Sequence, residues 1–274
     1  MLADSLDVAL RLAREACREV MRIYATDDFG ETRKKDGSPV TTADLAANAV
    51  IVQGLKRYFP GDLVLSEESA FDATLAQGRR IWMVDPVDGT QDFVERTGDF
   101  AVMIGLCISG RPALGVVAAP ALGRTWFGGP GMGAFEDDAR GRHALSLTAA
   151  DPARPLRAVV SRTHRPKGLD AVIEALGAPV ESVPRGGVGV KVGLVVSGEA
   201  DFYLHPSPGT HLWDCCAPEA ILGGAGGVLS DACGKPITYD PLVTANPRGV
   251  LAAETALHAR LAPLVAARVP ARAP

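Results

Sequence analysis

The segment Trp82-Met-Val-Asp-Pro-Val-Asp-Gly-Thr-Gln-Asp-Phe93 holds the residue types best suited to chemistry. An apolar run delivers Asp85, Pro86 forces a turn, and Asp88 follows three residues on, before a Gly89 free to adopt backbone conformations closed to other residues. Two carboxylates thus converge at the end of a predicted strand. A helix starting at Gly89-Thr90 would aim unsatisfied N–H groups and its positive dipole end beside them, where a phosphate could sit. Carboxylate oxygens with a phosphate are the surroundings that hard Mg²⁺ selects. Taken alone, an Asp-Pro-x-Asp-Gly turn equally suits a structural cap or a calcium loop. An EF-hand is excluded, because Arg96 stands where its twelfth-position Glu is required. A second acidic pair, Glu67-Glu68 within Ser66-Glu-Glu-Ser69, closes another apolar run.

These residues need elements to hold them. Leu6, Leu10, Ala13, Cys17, Val20 and Met21 recur at helical spacing and predict an amphipathic first helix. After a loop at Lys34-Lys35-Asp36-Gly37-Ser38-Pro39, Thr41 or Thr42 can cap a second helix running to about Tyr58, with Asp44 in its first turn; Pro60-Gly61 ends it. Strand-like runs at Leu63 to Ser66, Ile81 to Val84, Phe100 to Ile108, Ala113 to Ala119 and Thr125 to Phe127 predict an antiparallel sheet. The stretch Asp151-Pro-Ala-Arg-Pro155 interrupts both periodicities and predicts a boundary between residues 1–150, an α+β half, and 151–274, an α/β half. Beyond it, a strand at Ala158 to Ser161, a helix at Leu169 to Leu176, a Gly-rich turn opening a helix near Gly187, a strand at Phe202 to His205 and a helix from Trp213 alternate as in an α/β unit. An Ala-rich helix, Glu254 to Ala267, comes last.

Composition narrows the function. Of 274 residues 47% are hydrophobic, enough for a sizeable core, and 28 basic against 32 acidic residues leave a net charge of -4. Nothing there selects a nucleic-acid polymer or an anionic membrane, so a small substrate is expected. Five cysteines (Cys17, Cys107, Cys215, Cys216, Cys233) at irregular spacing, with no CxxC pair, read as buried thiols in a reducing compartment. Asp4, Asp7 and Glu15 break the first apolar stretch, which suits neither a signal peptide nor a membrane span and predicts a cytoplasmic protein.

Four motifs in order carry a family resemblance: Pro39-Val-Thr-Thr-Ala-Asp44, Glu67-Glu68-Ser69, Asp85-Pro-Val-Asp-Gly-Thr90 and Trp213-Asp214-x-x-Ala217-Pro218. Together they look like the inositol monophosphatase superfamily, and Gly131-Met-Gly-Ala-Phe135 and Gly223 to Leu229 resemble it too. The resemblance implies a layered α-β-α-β-α sandwich with the site between the two halves. It implies metal ligation by Glu67, Asp85, Asp88 and Asp214, with the backbone carbonyl of Val87 completing one shell, around two or three Mg²⁺ ions that Mn²⁺ can replace. Asp44 and Thr90 would help polarise the attacking water, with Glu67 as its partner and Gly89 and Thr90 near the phosphate. Lys35-Asp36 would lie on a loop closing over the site. A homodimer is the assembly the family implies.

The substrate within this superfamily must be read from the second half. The glutamate that contacts inositol hydroxyls, seven residues before the last metal-binding aspartate, is Ser207 here. The run from Asp88 to Phe100, Ser161-Arg-Thr-His164 and Lys191 are similar to the bisphosphate nucleotidase branch, in which Ser161, His164 and Lys191 would contact the nucleotide. That branch's serine three residues before the lysine is Val188, and its arginine before Trp213 is absent. The expected reaction is hydrolysis of 3'-phosphoadenosine 5'-phosphate to AMP and phosphate. Inositol phosphate or fructose 1,6-bisphosphate as substrate, and a metal-binding regulatory protein of the same fold, are the alternatives.

Overall fold

The computed structural model describes residues 2–34, 37–69, 80–162 and 168–268. Lys35, Asp36 and His164, singled out above, lie outside these. In chain order, helix α1 (Leu2–Tyr24) is followed by β1 (Thr32–Arg33), β2 (Pro39–Val40) and α2 (Thr42–Tyr58). The strands β3 (Leu63–Ser66), β4 (Arg80–Asp88), β5 (Ala101–Ile108), β6 (Arg111–Ala119), β7 (Arg124–Gly129), β8 (Gly133–Asp138) and β9 (Gly141–Leu145) come next, with α3 (Thr90–Val94) between β4 and β5. They form one seven-stranded sheet in sequence order. The expectation of an antiparallel sheet needs one correction: β3 and β4 run parallel, and every later pair is antiparallel.

The remaining strands are β10 (Leu156–Ser161), β11 (Val180–Arg185), β12 (Phe202–His205), β13 (Thr210–His211), β14 (Gly227–Asp231), β15 (Ala245–Asn246) and β16 (Val250–Glu254). Among them lie α4 (Leu169–Leu176), α5 (Val188–Val196), α6 (Leu212–Gly224) and finally α7 (Thr255–Arg268). A five-stranded sheet has the order β11-β10-β12-β16-β14. Its first three strands are parallel, as βα alternation requires, while β16 runs antiparallel to both neighbours.

Alternation along β4 explains the layering. Trp82 and Val84 point to a core shared with α1 and α2, whereas Ile81 and Met83 point the other way, into a core built with Val190, Val192 and Leu194 of α5 and Cys215, Cys216 and Ile221 of α6. Val159, Tyr203 and Ala252 of the second sheet close that middle core from its far side. The opposite face of the second sheet packs through Ala158, Phe202 and Leu251 on Val172 of α4 and Leu257 and Leu261 of α7. The order of layers is therefore α-β-α-β-α, as expected. The five cysteines are free thiols; Cys107, Cys215 and Cys216 are buried, but Cys17 and Cys233 are half-buried, against the expectation that all are. No described helix is long and apolar enough to cross a membrane.

Candidate active site

Asp85 continues the inward-facing series of Ile81 and Met83, so the strand that builds the middle core also delivers a carboxylate into it. Asp85 is 2% exposed and its Oδ1 accepts the Val87 N–H at 3.0 Å. The β4–β5 register slips between Asp85 and Asp88, a bulge that re-aims the chain and lets both acids serve one site. Gly89 then takes a left-handed conformation, φ 87°, and a Cβ there would lie 2.9 Å from the Asp99 carbonyl oxygen, so only glycine fits.

Asp88 reaches across to the second half. Its carboxylate accepts the N–H groups of Val188, at 2.9 Å, and Gly189, at 2.6 Å, the first residues of α5. Gly187 makes room for this contact: at φ 51°, a Cβ on it would stand 2.7 Å from Asp88 Oδ2.

Two other acids are set by the same local device. Asp44 is the third residue of α2, and its Oδ2 turns back to accept the N–H of Thr41 at 2.8 Å and its hydroxyl at 2.7 Å. Asp214, third in α6, likewise accepts the His211 N–H at 2.7 Å. Helix capping therefore aims both carboxylates. Thr90 Oγ1 lies 3.1 Å from Asp44 Oδ1 and 3.0 Å from the Val87 carbonyl oxygen, linking α2 to the turn that carries Asp88.

The electrostatics show how closely the acids crowd. Burial, and then the charges of Glu67, Asp88 and Asp214, push the Asp85 carboxyl well above its ordinary 3.8. Asp214 is likewise pushed well up by burial and by Asp88 and Glu67, and it approaches Asp85 closely enough to share a hydrogen bond. Burial also raises Asp88, against the opposing pull of Lys191 and its two backbone donors. Two carboxyls in hydrogen-bond contact need a proton or a cation between them. An all-oxygen, buried, mutually repelling donor set fits a hard divalent ion.

Glu67 is joined to β4 through its N–H, which donates to Val84 O at 3.1 Å. Its carboxylate is paired with Lys34 Nζ at 2.5 Å, and the same ammonium contacts Glu68. Among the described residues Lys34 is the cation that contacts both Glu67 and Glu68, a role that nothing local in the sequence marks. Lys191 is 5% exposed, its Nζ 5.2 Å from the centre of the Tyr203 ring, with Asp88, Asp92, Asp214 and Asp99 acting on it. Burial lowers its pKa, and those carboxylates oppose the shift. Ser161 ends β10, directly paired with Arg185 of β11.

Two other features compete for the role of site and fail on chemistry. Glu136, Asp138 and His143 bring ligand atoms within 4.8 Å of one another. Glu136, however, is engaged by Arg124 and by Ser197 at 3.0 Å, and Asp138 by Arg140 at 2.7 Å, so the cluster is already neutralised. A cavity of about 300 Å³ lies beside Leu145, Leu147, Arg154, Arg157 and Ser197, but both arginines are held by Asp201.

The sequence profile of the inositol monophosphatase family matches residues 1–269. The chain belongs to this family. As a family member it is a phosphatase, a hydrolase of phosphate esters. The phosphatase is 37% identical over 238 residues to the Escherichia coli K12 protein named 3'(2'),5'-bisphosphate nucleotidase CysQ, covering 86% of this chain and 94% of that one. A Haemophilus influenzae protein of the same name is 31% identical over 250 residues, with 90% and 91% covered. Among solved structures, CysQ from Bacteroides thetaiotaomicron superposes with a TM-score of 0.80 at 29% identity, over 92% of this chain and 97% of that one.

Proposed function

We propose that this phosphatase is a magnesium-dependent nucleotidase that hydrolyses 3'-phosphoadenosine 5'-phosphate to AMP and phosphate. The observation that carries this reading is the convergence of Asp85, Asp88 and Asp214 in a chain so similar, over most of its length, to a protein named as a bisphosphate nucleotidase. Glu67, Asp85, Asp88 and Asp214, with the Val87 carbonyl, would hold two or three Mg²⁺ ions. Mg²⁺ bound there would acidify a water and neutralise charge building up on the phosphate.

The chain's own groups do the rest. The Thr90 hydroxyl has one proton; in passing it to Asp44 Oδ1, its oxygen would take one from the attacking water, so that Asp44 ends as the proton's acceptor. Burial raises the Asp44 carboxyl, opposed by the hydrogen bonds from Thr41 and Thr90, which makes it a better proton sink than an exposed aspartate. Glu67 would orient the same water once Lys34 yields its place on the carboxylate. Gly89 and Thr90 would meet the reacting phosphate through their N–H groups, and Ser161, His164 and Lys191 would recognise the remainder of the nucleotide.

The test is phosphate release from 3'-phosphoadenosine 5'-phosphate, inositol 1-phosphate and fructose 1,6-bisphosphate with saturating Mg²⁺. The highest kcat/KM is expected for the nucleotide. A highest value for inositol 1-phosphate would overturn the nucleotidase reading and leave the phosphatase in place.

A further inference from the structure

We propose that Arg185 binds the non-reacting phosphate of the substrate, held in position by Asp99 and Arg162; this rests on the nucleotidase reading above. The Asp99 carboxylate is buried where three segments meet. It takes the Arg162 guanidinium from the end of β10 and the Gly186 N–H, at 3.2 Å, from the turn between β11 and α5. The Asp99 carbonyl oxygen, in turn, fixes the close approach of Gly89 and Gly187. Arg162 is committed: its guanidinium also faces Asp92, at 3.6 Å, and its N–H donates to the Arg185 carbonyl at 3.1 Å.

Arg185 is placed by the same frame and spends little of its own charge. Its Nε stands 4.0 Å from Asp99, a marginal contact, and Nη1 donates to the Pro184 carbonyl at 2.8 Å. The side chain is 39% exposed. Around Asp99 the described residues supply two carboxylates outside the metal cluster, Asp92 and Asp99, against three cations, Arg162, Arg185 and Lys191. Once Asp88 is given over to a divalent ion, one positive charge is left uncompensated; Arg162 is equally exposed but tied to Asp99 and Asp92, so Arg185 is the member that can turn to a ligand.

Reach fits as well. Arg185 is two residues from Gly187, which abuts Asp88, and an extended chain advances about 3.3 Å per residue. That sets the Arg185 backbone about 7 Å along the chain from Gly187, and the planar fork of its guanidinium suits a terminal phosphate.

The experiment compares wild type with Arg185→Gln on 3'-phosphoadenosine 5'-phosphate and on adenosine 3'-phosphate, which carry the same scissile ester and differ only in the 5'-phosphate. Wild type should favour the bisphosphate in kcat/KM. Arg185→Gln should cut that preference roughly ten- to hundredfold, through KM, as expected for loss of a charge-assisted bond. Arg185→Lys should recover part of it. Equal losses on both substrates, through kcat, would assign Arg185 a structural role and overturn the subsite while leaving the nucleotidase reading intact. A wild-type enzyme indifferent to the 5'-phosphate would overturn both.

Discussion

The Asp88 carboxylate accepts the Gly189 N–H at 2.6 Å, so a residue of the seven-stranded sheet is hydrogen-bonded to the helix that carries Lys191. One side chain thereby belongs to the proposed metal cluster and to the junction with α5. Asp88→Asn removes the charge and keeps one of the two acceptors at that junction, its amide NH2 then facing the other backbone N–H. Its activity should fall on the order of a thousandfold or more, at saturating as well as limiting Mg²⁺. Steady-state phosphate release, with thermal melting to verify the fold, checks this. A folded variant with wild-type activity at limiting Mg²⁺ contradicts it.

The raised carboxyls of Asp85 and Asp214 make a prediction about pH. A carboxyl held higher in the folded than in the unfolded state contributes stability that is fully present below the ordinary value of 3.8 and is lost as pH rises through the folded one. In EDTA, therefore, the melting temperature should fall as pH rises above the ordinary carboxylate range. Mg²⁺, replacing the protons, should flatten the curve and bind more tightly at higher pH. Melting curves in EDTA and in Mg²⁺ across that range measure both effects.

Glu219 contributes a second, separable pH effect. Burial pushes its carboxyl up to about 7, although its Oε2 accepts the Tyr239 hydroxyl at 2.7 Å. The sign is the same: stability is lost as pH rises from the ordinary 4.5 through about 7. Glu219→Gln keeps an acceptor for Tyr239 and removes the titration. Above pH 8 the variant should be more stable than wild type, by about 3 kcal/mol, the two converging in acid. Denaturant melts at pH 5 and 8 decide it; parallel curves would mean that Glu219 does not titrate in this range.

Lys191 tests which partners its buried ammonium serves. As a nucleotide ligand, its replacement in Lys191→Met should depress kcat/KM on 3'-phosphoadenosine 5'-phosphate roughly ten- to hundredfold more than on inositol 1-phosphate. Equal depression on both would make it a counter-charge to Asp88.

Much of this arrangement was legible because it is local. Thr41 capping α2, Asp44 in its first turn, β3 ending before Glu67 and the turn at Gly89 all follow from neighbouring residues, and the structure has each of them. What escaped depends on distant partners. The parallel pairing of β3 and β4 was hidden because the short apolar runs read as hairpins, although residues 67–79 are too many for a hairpin turn. The strands β8 and β9 carry Asp137, Asp138, Arg140 and Arg142 in and beside them, so no apolar alternation announced them; their ion pairs and the neighbouring β7 hold them. Val250-Leu-Ala-Ala253 has helix-tolerant composition and becomes a strand because burial between β12 and β14 overrides propensity. Lys34 could be recognised only once Glu67 and Glu68 were brought to it across the fold.

The most direct test of the proposed mechanism is phosphate release from 3'-phosphoadenosine 5'-phosphate by wild-type enzyme stripped of metal, measured in excess EDTA and then during titration with Mg²⁺. Hydrolysis by metals held on Glu67, Asp85, Asp88 and Asp214 predicts no measurable release in EDTA and a saturable return of activity with Mg²⁺. Full turnover in EDTA would contradict it.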